Sequence, residues 1–361
     1  VHSSTSNFER LIPRGPWQFF AIGALLILIV SAVALEWRLA SLGHVPTVTD
    51  SGSRWRAERL RANRLGARAL VLVGASRIQL GVDMTALREA TPLEPVQLAI
   101  DGSSFLPVLR GLAEDERFLG TVIVDYYDHI LVTPPGFDAA ERYQRQFSTA
   151  HLRAASDDWE EALTHQVRDR FRVYADGGRP WDALTRRAWN TNAMSQYLTT
   201  FPDRSRSADH RLVPLPAFYH ALVIGMLKKE TGQEVAVSSD AADLERRLQA
   251  GIANAAPADE GAFLRQAVLV RSYVDAIKRR GGRVYFVSMP TSGMVRELTE
   301  RRYPAALFRQ RFAALMNQPV IDTNTVFGPN AFVCPDGSHL DAADRGRFSN
   351  ALAQQLGLAA R

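Results

Sequence analysis

The sequence predicts an α/β protein: a three-layer α/β/α fold around a parallel sheet of about five strands, with an N-terminal transmembrane helix and a helical insertion. Three observations predict it. Short runs that are apolar at every position alternate with helical-looking stretches, the pattern of strands covered on both faces by crossover helices. An uncharged run, FFAIGALLILIVSAVAL from Phe19 to Leu35, precedes all of them. From about residue 137 to 260 the alternation stops, and the chain becomes polar, irregular and mostly helical in character.

In chain order, residues 1–16 read as a cytoplasmic amino terminus and 17–37 as a signal anchor. A helix from Trp17 to Trp37 rises about 31 Å at 1.5 Å per residue, close to the hydrocarbon thickness of a bilayer. Both tryptophans stand where interfacial aromatics belong, and Arg10 and Arg14 favour a cytoplasmic amino terminus. Ala32-Val33-Ala34 also fits a leader cleavage site, so a cleaved signal peptide is the alternative, and a buried core helix the third reading. Either of the first two exports the body of the protein. Residues 38–66 read as a juxtamembrane linker, small and polar from Thr47 to Ser53, followed by an Arg-rich helix, RWRAERLRANRL.

The body spans 67–361. ARALVLVGAS carries a first strand ending at Gly74, and VDMTALREA a helix. PVQLAI is a second strand ending at Asp101-Gly102. Residues 104–116 are a helix and GTVIVDYY a third strand. Turn signals inside the insertion are Asp176-Gly177-Gly178 and Pro214 to Pro216. Residues 262–280 form an amphipathic helix, RVYFVSMP and PVIDTN the fourth and fifth strands, and a helix after His339 closes the chain.

Composition narrows the function. With 46% hydrophobic and 22% charged residues the chain is globular rather than disordered. It holds 43 Lys+Arg against 38 Asp+Glu, a net charge of +5. Lysine occurs only at 228, 229 and 278, and no basic block is present, which argues against a nucleic-acid partner. The single Cys334 excludes an intramolecular disulfide and a Cys-based zinc site. The histidines show no metal spacing; His210 and His220 are isolated and read as structural or surface residues. No metal or organic cofactor is expected.

In a parallel sheet ligands bind beyond the carboxyl ends of the strands, so the residues just after each strand are where chemistry should appear. The first strand ends Gly74-Ala75-Ser76-Arg77. A Ser at a strand-to-helix turn exposes its hydroxyl near free backbone amides; the plainer reading is an N-cap. It is not a G-x-S-x-G elbow, since Ile78 stands where the second Gly would be, nor a G-x-G-x-x-G or P-loop sequence. The second strand ends Ile100-Asp101-Gly102-Ser103-Ser104, where Gly102 lets the backbone approach a ligand; the plainer reading is a turn. Near the carboxyl terminus stands Cys334-Pro335-Asp336-Gly337-Ser338-His339. An Asp three residues before a His can orient the imidazole through Nδ1–H and leave the other nitrogen as general base. Helix capping by Ser338 with Asp341 is the alternative. His129, after the third strand, is a spare candidate base.

Taken together, VLVGASR, AIDGSS and DGSH resemble the first, second and last blocks of the SGNH (GDSL-like) hydrolase superfamily. The resemblance covers about residues 68–130 and 280–355 and leaves the insertion uncovered. It implies a flavodoxin-like strand order, Ser76 as nucleophile, Asp336 and His339 as its triad partners, and the Ser76 and Gly102 amides as an oxyanion hole. The chain is also similar to the membrane-anchored members linked to bacterial exopolysaccharide acetylation, the alginate O-acetylation proteins among them. One block departs. The third strand ends Val124-Asp125-Tyr126-Tyr127-Asp128-His129 and holds no Asn, the superfamily's further oxyanion donor. An ionised Asp125 cannot donate; Tyr126 or Tyr127 would have to replace it. Arg77 reads either as a carboxylate-binding group or as a salt bridge supporting the loop. With Arg77, Asp125 and Tyr126, the residues Thr291 and Ser292 after the fourth strand complete the candidate substrate-binding set.

The expected function is an extracytoplasmic SGNH-type serine esterase or O-acetyltransferase. It would act on an O-acylated polysaccharide of the cell envelope, anchored in a bacterial inner membrane with its catalytic domain in the periplasm, and a membrane-bound O-acyltransferase is an expected partner. The rivals are a non-catalytic glycan-binding subunit of a polysaccharide assembly, motivated by the absent Asn, and an esterase or thioesterase directed at lipids.

Overall fold

The sheet forms where the sequence is apolar at consecutive positions. In the computed structural model, residues 15–133, 139–149, 168–190 and 197–359 are described. Their strands are β1 (Ala69–Val73), β2 (Glu94–Gln97), β3 (Thr121–Asp125), β4 (Leu198–Thr200), β5 (Arg206–Ala208), β6 (Arg283–Ser288) and β7 (Val320–Asp322). Five of them build one parallel sheet in the order β2-β1-β3-β6-β7, the flavodoxin-like order with its switch point between β1 and β3. β1 and β3 are buried along their whole length. The second strand continues past its formal end: the Leu98 amide donates to the Leu72 carbonyl and the Ile100 amide to Gly74. That extension carries the ladder up to Gly102.

Alternate side chains of each strand feed two cores, as a period of two requires. Val71, Val73, Val122, Val124 and Phe286 face the helices Gly52–Leu65, Leu106–Glu114, Glu260–Arg279 and Arg309–Met316. Leu70, Leu72 and Ile123 face Met84–Ala90 and the closing helix Arg345–Gln355 through Met84, Leu87, Phe348 and Leu352. The sheet is thus sandwiched, α/β/α. The Glu260–Arg279 helix begins at Asp259, whose carboxylate accepts the amides of Gly261 and Ala262.

The amino-terminal apolar helix runs from Trp17 to Ser41, four residues beyond the predicted end, and is long and apolar enough to cross a membrane. Arg10 and Arg14 lie outside the described residues. The carboxyl end of this helix is built into the body. Glu36 accepts the amides of Arg172 and Val173, and Arg38 donates to the Ala188 carbonyl at 3.2 Å. The Arg-rich helix read after the linker is present as Gly52–Leu65, and one face of it, Arg54, Trp55, Arg59 and Ala62, is buried against the body. Trp55 is fully buried and its indole N–H donates to the Leu98 carbonyl at 3.0 Å, while buried Arg59 pairs with Asp115 at 2.9 Å.

The insertion between β3 and β6 is helical where it packs. Leu215–Thr231 starts at the Pro214 signal, and with Ala241–Ala253 it forms a third core against Met294, Val295 and Leu298 of the helix Gly293–Arg302. It also holds a feature the sequence did not reveal, the antiparallel ribbon β4–β5. Three-residue polar strands carry no readable period. The ribbon turns at Arg204, whose φ of 66° is left-handed, and is pinned by that side chain. Its guanidinium makes a bidentate pair with Asp50 (2.6 and 2.8 Å) and donates to the carbonyls of Gln97 and Ala99.

Candidate active site

The turn after β1 requires Gly74. A Cβ there would sit 2.5 Å from the Asp125 Cβ and 3.0 Å from Ile78 Cγ2, so the backbone crosses β3 at a distance that excludes any side chain. This crossing delivers Ser76 to the first position of the helix Ser76–Gly81 at the carboxyl edge of the sheet. Gly102 turns back in the left-handed region, φ 65°, where glycine is favoured. Arg206 of β5 holds its neighbour Asp101 at 2.5 Å. Among the described residues the amides of Ser76 and Gly102 have no protein acceptor, and both residues line one cavity.

The carboxyl-terminal motif closes on the same place. Ser76 Oγ lies 2.9 Å from His339 Nε2, and His339 Nδ1 lies 2.7 Å from Asp336 Oδ2. The other Asp336 oxygen accepts the amides of Ser338 and His339, at 2.9 and 2.7 Å, the turn an Asx residue forms with its own following backbone. Burial alone would raise the Asp336 carboxyl. The donors His210 and His339 and the amide of Ser338 outweigh it and hold that carboxyl well below the usual carboxylate range. An ionised acceptor puts the proton of His339 on Nδ1 and leaves Nε2 to take one from Ser76.

His210 is the residue that the sequence reading undervalued. It is buried, not on the surface, and its Nε2 lies 3.5 Å from Asp336 Oδ2. Its amide donates to Asp341 at 3.0 Å, and the Ala342 amide pairs with the Ala208 carbonyl of β5. The ribbon therefore braces the loop that carries both triad partners.

The remaining predicted site residues divide. Arg77 pairs with Asp125 at 2.7 Å, both buried, and its guanidinium lies 4.3 Å from the centre of the Tyr127 ring. The salt-bridge reading of Arg77 is the one realised. Asp125 lies under the Ser76 turn; burial raises its carboxyl, with Arg77 and the Ala75 amide opposing. Both still line the cavity. Tyr126 does not. It is fully buried in the core, and its hydroxyl donates to Asp128 at 2.5 Å, so it supplies no donor to the site. Tyr127 lines the cavity but its hydroxyl is spent on Glu230, at 3.0 Å. Thr291 lines the cavity and accepts from Asn324. Ser292 is not part of the wall: its hydroxyl accepts the Cys334 amide at 2.9 Å and ties the two loops together. Cys334 is buried, and burial pushes its thiol up, so it is no nucleophile. No group of three His, Cys, Asp or Glu placed to hold a metal occurs among the described residues.

The cavity has a volume of about 320 Å³. Leu222, Met226 and Val295 form an apolar wall, and His129 and Glu230 add a second polar cluster away from the triad motif. No family model matches the chain, and no curated protein matches it, so the chemistry of this cavity is argued from its own geometry.

Proposed function

We propose that the chain is an SGNH-type serine esterase or O-acyltransferase, anchored by its amino-terminal helix, that handles O-acetyl groups of a cell-envelope polysaccharide. The observation that carries this reading is the relay Ser76–His339–Asp336, with bonds of 2.9 and 2.7 Å, at the edge of a cavity. Ser76 Oγ attacks the acyl carbonyl carbon as its proton passes to His339 Nε2. Asp336 stabilises the imidazolium that results, and the Ser76 and Gly102 amides hold the developing oxyanion. Collapse breaks the acyl C–O bond, and the leaving alcohol takes the proton back from His339. Water or a sugar hydroxyl then repeats the sequence on the acyl-enzyme, giving hydrolysis or transfer. On this reading the amino-terminal helix anchors an exported body, and the polymer within its reach is an envelope glycan. The class of enzyme rests on this geometry and on the resemblance of the three blocks.

The spent hydroxyls of Tyr126 and Tyr127 favour a hole of two donors over three, and an absent donor of this kind typically lowers rate by about 10²–10³. A slow enzyme is the expected outcome.

The test is acetate release from 4-nitrophenyl acetate by the full chain in detergent, with and without oligosaccharide acceptors whose mass is read out. Ser76→Ala and His339→Ala should each lower kcat by at least about 10³-fold. Acetyl gain on an acceptor makes the protein a transferase. Activity retained in both variants overturns the mechanism, and a folded protein without turnover that still binds glycans supports the non-catalytic subunit instead.

A further inference from the structure

Three side chains that line the cavity, Tyr127, His129 and Glu230, form with Tyr303 behind them a cluster that belongs to no step of the relay. Glu230, from the insertion helix Leu215–Thr231, is buried and accepts the hydroxyls of Tyr127, at 3.0 Å, and Tyr303. His129, directly after β3, is 4% exposed and places Nδ1 3.0 Å from Glu230 Oε1 and 3.1 Å from the Tyr303 oxygen. Burial alone would raise the Glu230 carboxyl; hydrogen bonds from His129, Tyr303 and Tyr127 overcome it and hold it below its ordinary value.

The tautomer of His129 follows. A carboxylate only accepts, and the Tyr303 proton is committed to Glu230, so both neighbours of Nδ1 are acceptors and the ring proton sits there. In the neutral ring, the form that serves a hydroxyl donor, Nε2 is then an acceptor. Among the described residues it has no partner, yet it is not one of the sealed unpaired atoms, and the residue lines the cavity that holds Ser76 and His339. A purely structural tie between insertion and sheet would be complete with Glu230 and the two tyrosines. An almost wholly buried imidazole whose one acceptor edge opens onto the cavity is more than such a tie needs, and a ligand that displaces water there must supply a donor of its own.

We propose that His129 Nε2 is a hydroxyl-binding subsite, which receives an O–H of a polyhydroxylated substrate while the apolar wall of Leu222, Met226 and Val295 packs its C–H face. Glu230 and Tyr303 act through His129 as positioning residues. This deepens the reading of the cavity as an acyl-transfer site and rests on it: the ligand is a carbohydrate ester or acceptor, not an acyl chain alone. A lipid acyl chain offers Nε2 no donor and would leave it unpaired.

The experiment uses the full chain in detergent and two neutral acetate esters, methyl 6-O-acetyl-glucopyranoside and its hydroxyl-free analogue cyclohexylmethyl acetate. The ratio of their kcat/KM values should favour the glucoside in the wild type. It should fall by about tenfold or more in His129→Phe and recover most of that loss in His129→Gln, whose amide oxygen can accept at the same place. Recovery in the Gln variant excludes misfolding as the cause. In parallel, the Kd of methyl 6-O-acetyl-glucopyranoside is titrated on Ser76→Ala, with and without His129→Phe, and should weaken by a similar factor. A wild-type ratio near one, or a ratio and Kd that His129→Phe leaves unmoved, overturns the subsite. Turnover that survives Ser76→Ala would instead fault the triad, and the titration would still decide the subsite on its own.

Discussion

The relay depends on a residue outside its own motif. Asp336 accepts from His339 on one oxygen, and His210 approaches that same oxygen from the ribbon side at 3.5 Å. The contact is of ion-pair length, and Nε2 also meets the Tyr197 hydroxyl at 3.4 Å; at most about 1.5–3 kcal/mol, the worth of a hydrogen bond to a charged group, is available for fixing the carboxylate plane that orients His339. His210→Ala should lower kcat by roughly tenfold to a hundredfold at an almost constant KM, the conversion of that energy into rate. His210→Gln, which can still donate, should regain most of it. A parallel rise in KM, or no recovery with Gln, would show a general loosening rather than a positioning role. At this scale the sequence exposed the residues tied to strand ends and to one short motif: Ser76, Gly102, Asp336 and His339 stand at spacings that chemistry imposes. His210 and Glu230 come from the insertion, where no period or motif fixes their place. Their roles exist only once the ribbon and the helix Leu215–Thr231 have docked.

Among the elements, the strands were legible because burial on both faces makes them apolar throughout, and the helix 262–280 because its apolar stripe is regular. The ribbon β4–β5 was not, since its strands are three residues long and it is held from outside, by the Arg204 side chain and by bonds to Val48, Asp101 and Ala342. Arg204 is fully buried and spreads its donors over Asp50, Gln97 and Ala99, joining the linker, the second strand and the ribbon. Asp50 is partly exposed and keeps the Gln79 amide, but the buried carbonyls of Gln97 and Ala99 lose their guanidinium donor, at about 1–3 kcal/mol for each buried group left unpaired. Arg204→Met should therefore destabilise the protein by about that amount, read as a lowered thermal midpoint in detergent. Because the ribbon braces the Asp336 loop through Ala208 and His210, the variant should also lose esterase rate at temperatures where it is still folded. Unchanged rate in a folded Arg204→Met protein would separate the ribbon from the site. The helix Gly52–Leu65 was legible as an Arg-rich helix, but not its burial: its arginines mask the face on which Trp55, Arg59 and Ala62 enter the core.

For the whole molecule, buried carboxyls pull stability in two directions with pH. Asp336 and Asp115 are held below their ordinary value. For both, burial acts the other way and is outweighed, by His210 and His339 at Asp336 and by Arg117, Asn63 and Arg59 at Asp115. A depressed carboxyl stabilises the fold above its unfolded value near 4, and that contribution is lost as pH falls through the folded value. Asp128 is the opposite case: burial pushes it up to about 6, against the hydrogen bond from Tyr126 and the charge of Arg309. A raised carboxyl stabilises the fold fully below its unfolded value, and that contribution is lost as pH rises through about 6. Taken by themselves, the two depressed carboxyls act against acid and the raised one against alkali. Asp128 touches neither the cavity nor the relay, so Asp128→Asn isolates the alkaline arm while leaving an oxygen for the Tyr126 hydroxyl. The thermal midpoints of variant and wild type should be close at pH 3.5 and separate as pH rises, with the variant the more stable by up to about 3 kcal/mol at pH 8, two pKa steps at 1.36 kcal/mol each. A difference that is constant across this range would mean that Asp128 keeps one protonation state throughout and that the alkaline loss of stability arises elsewhere.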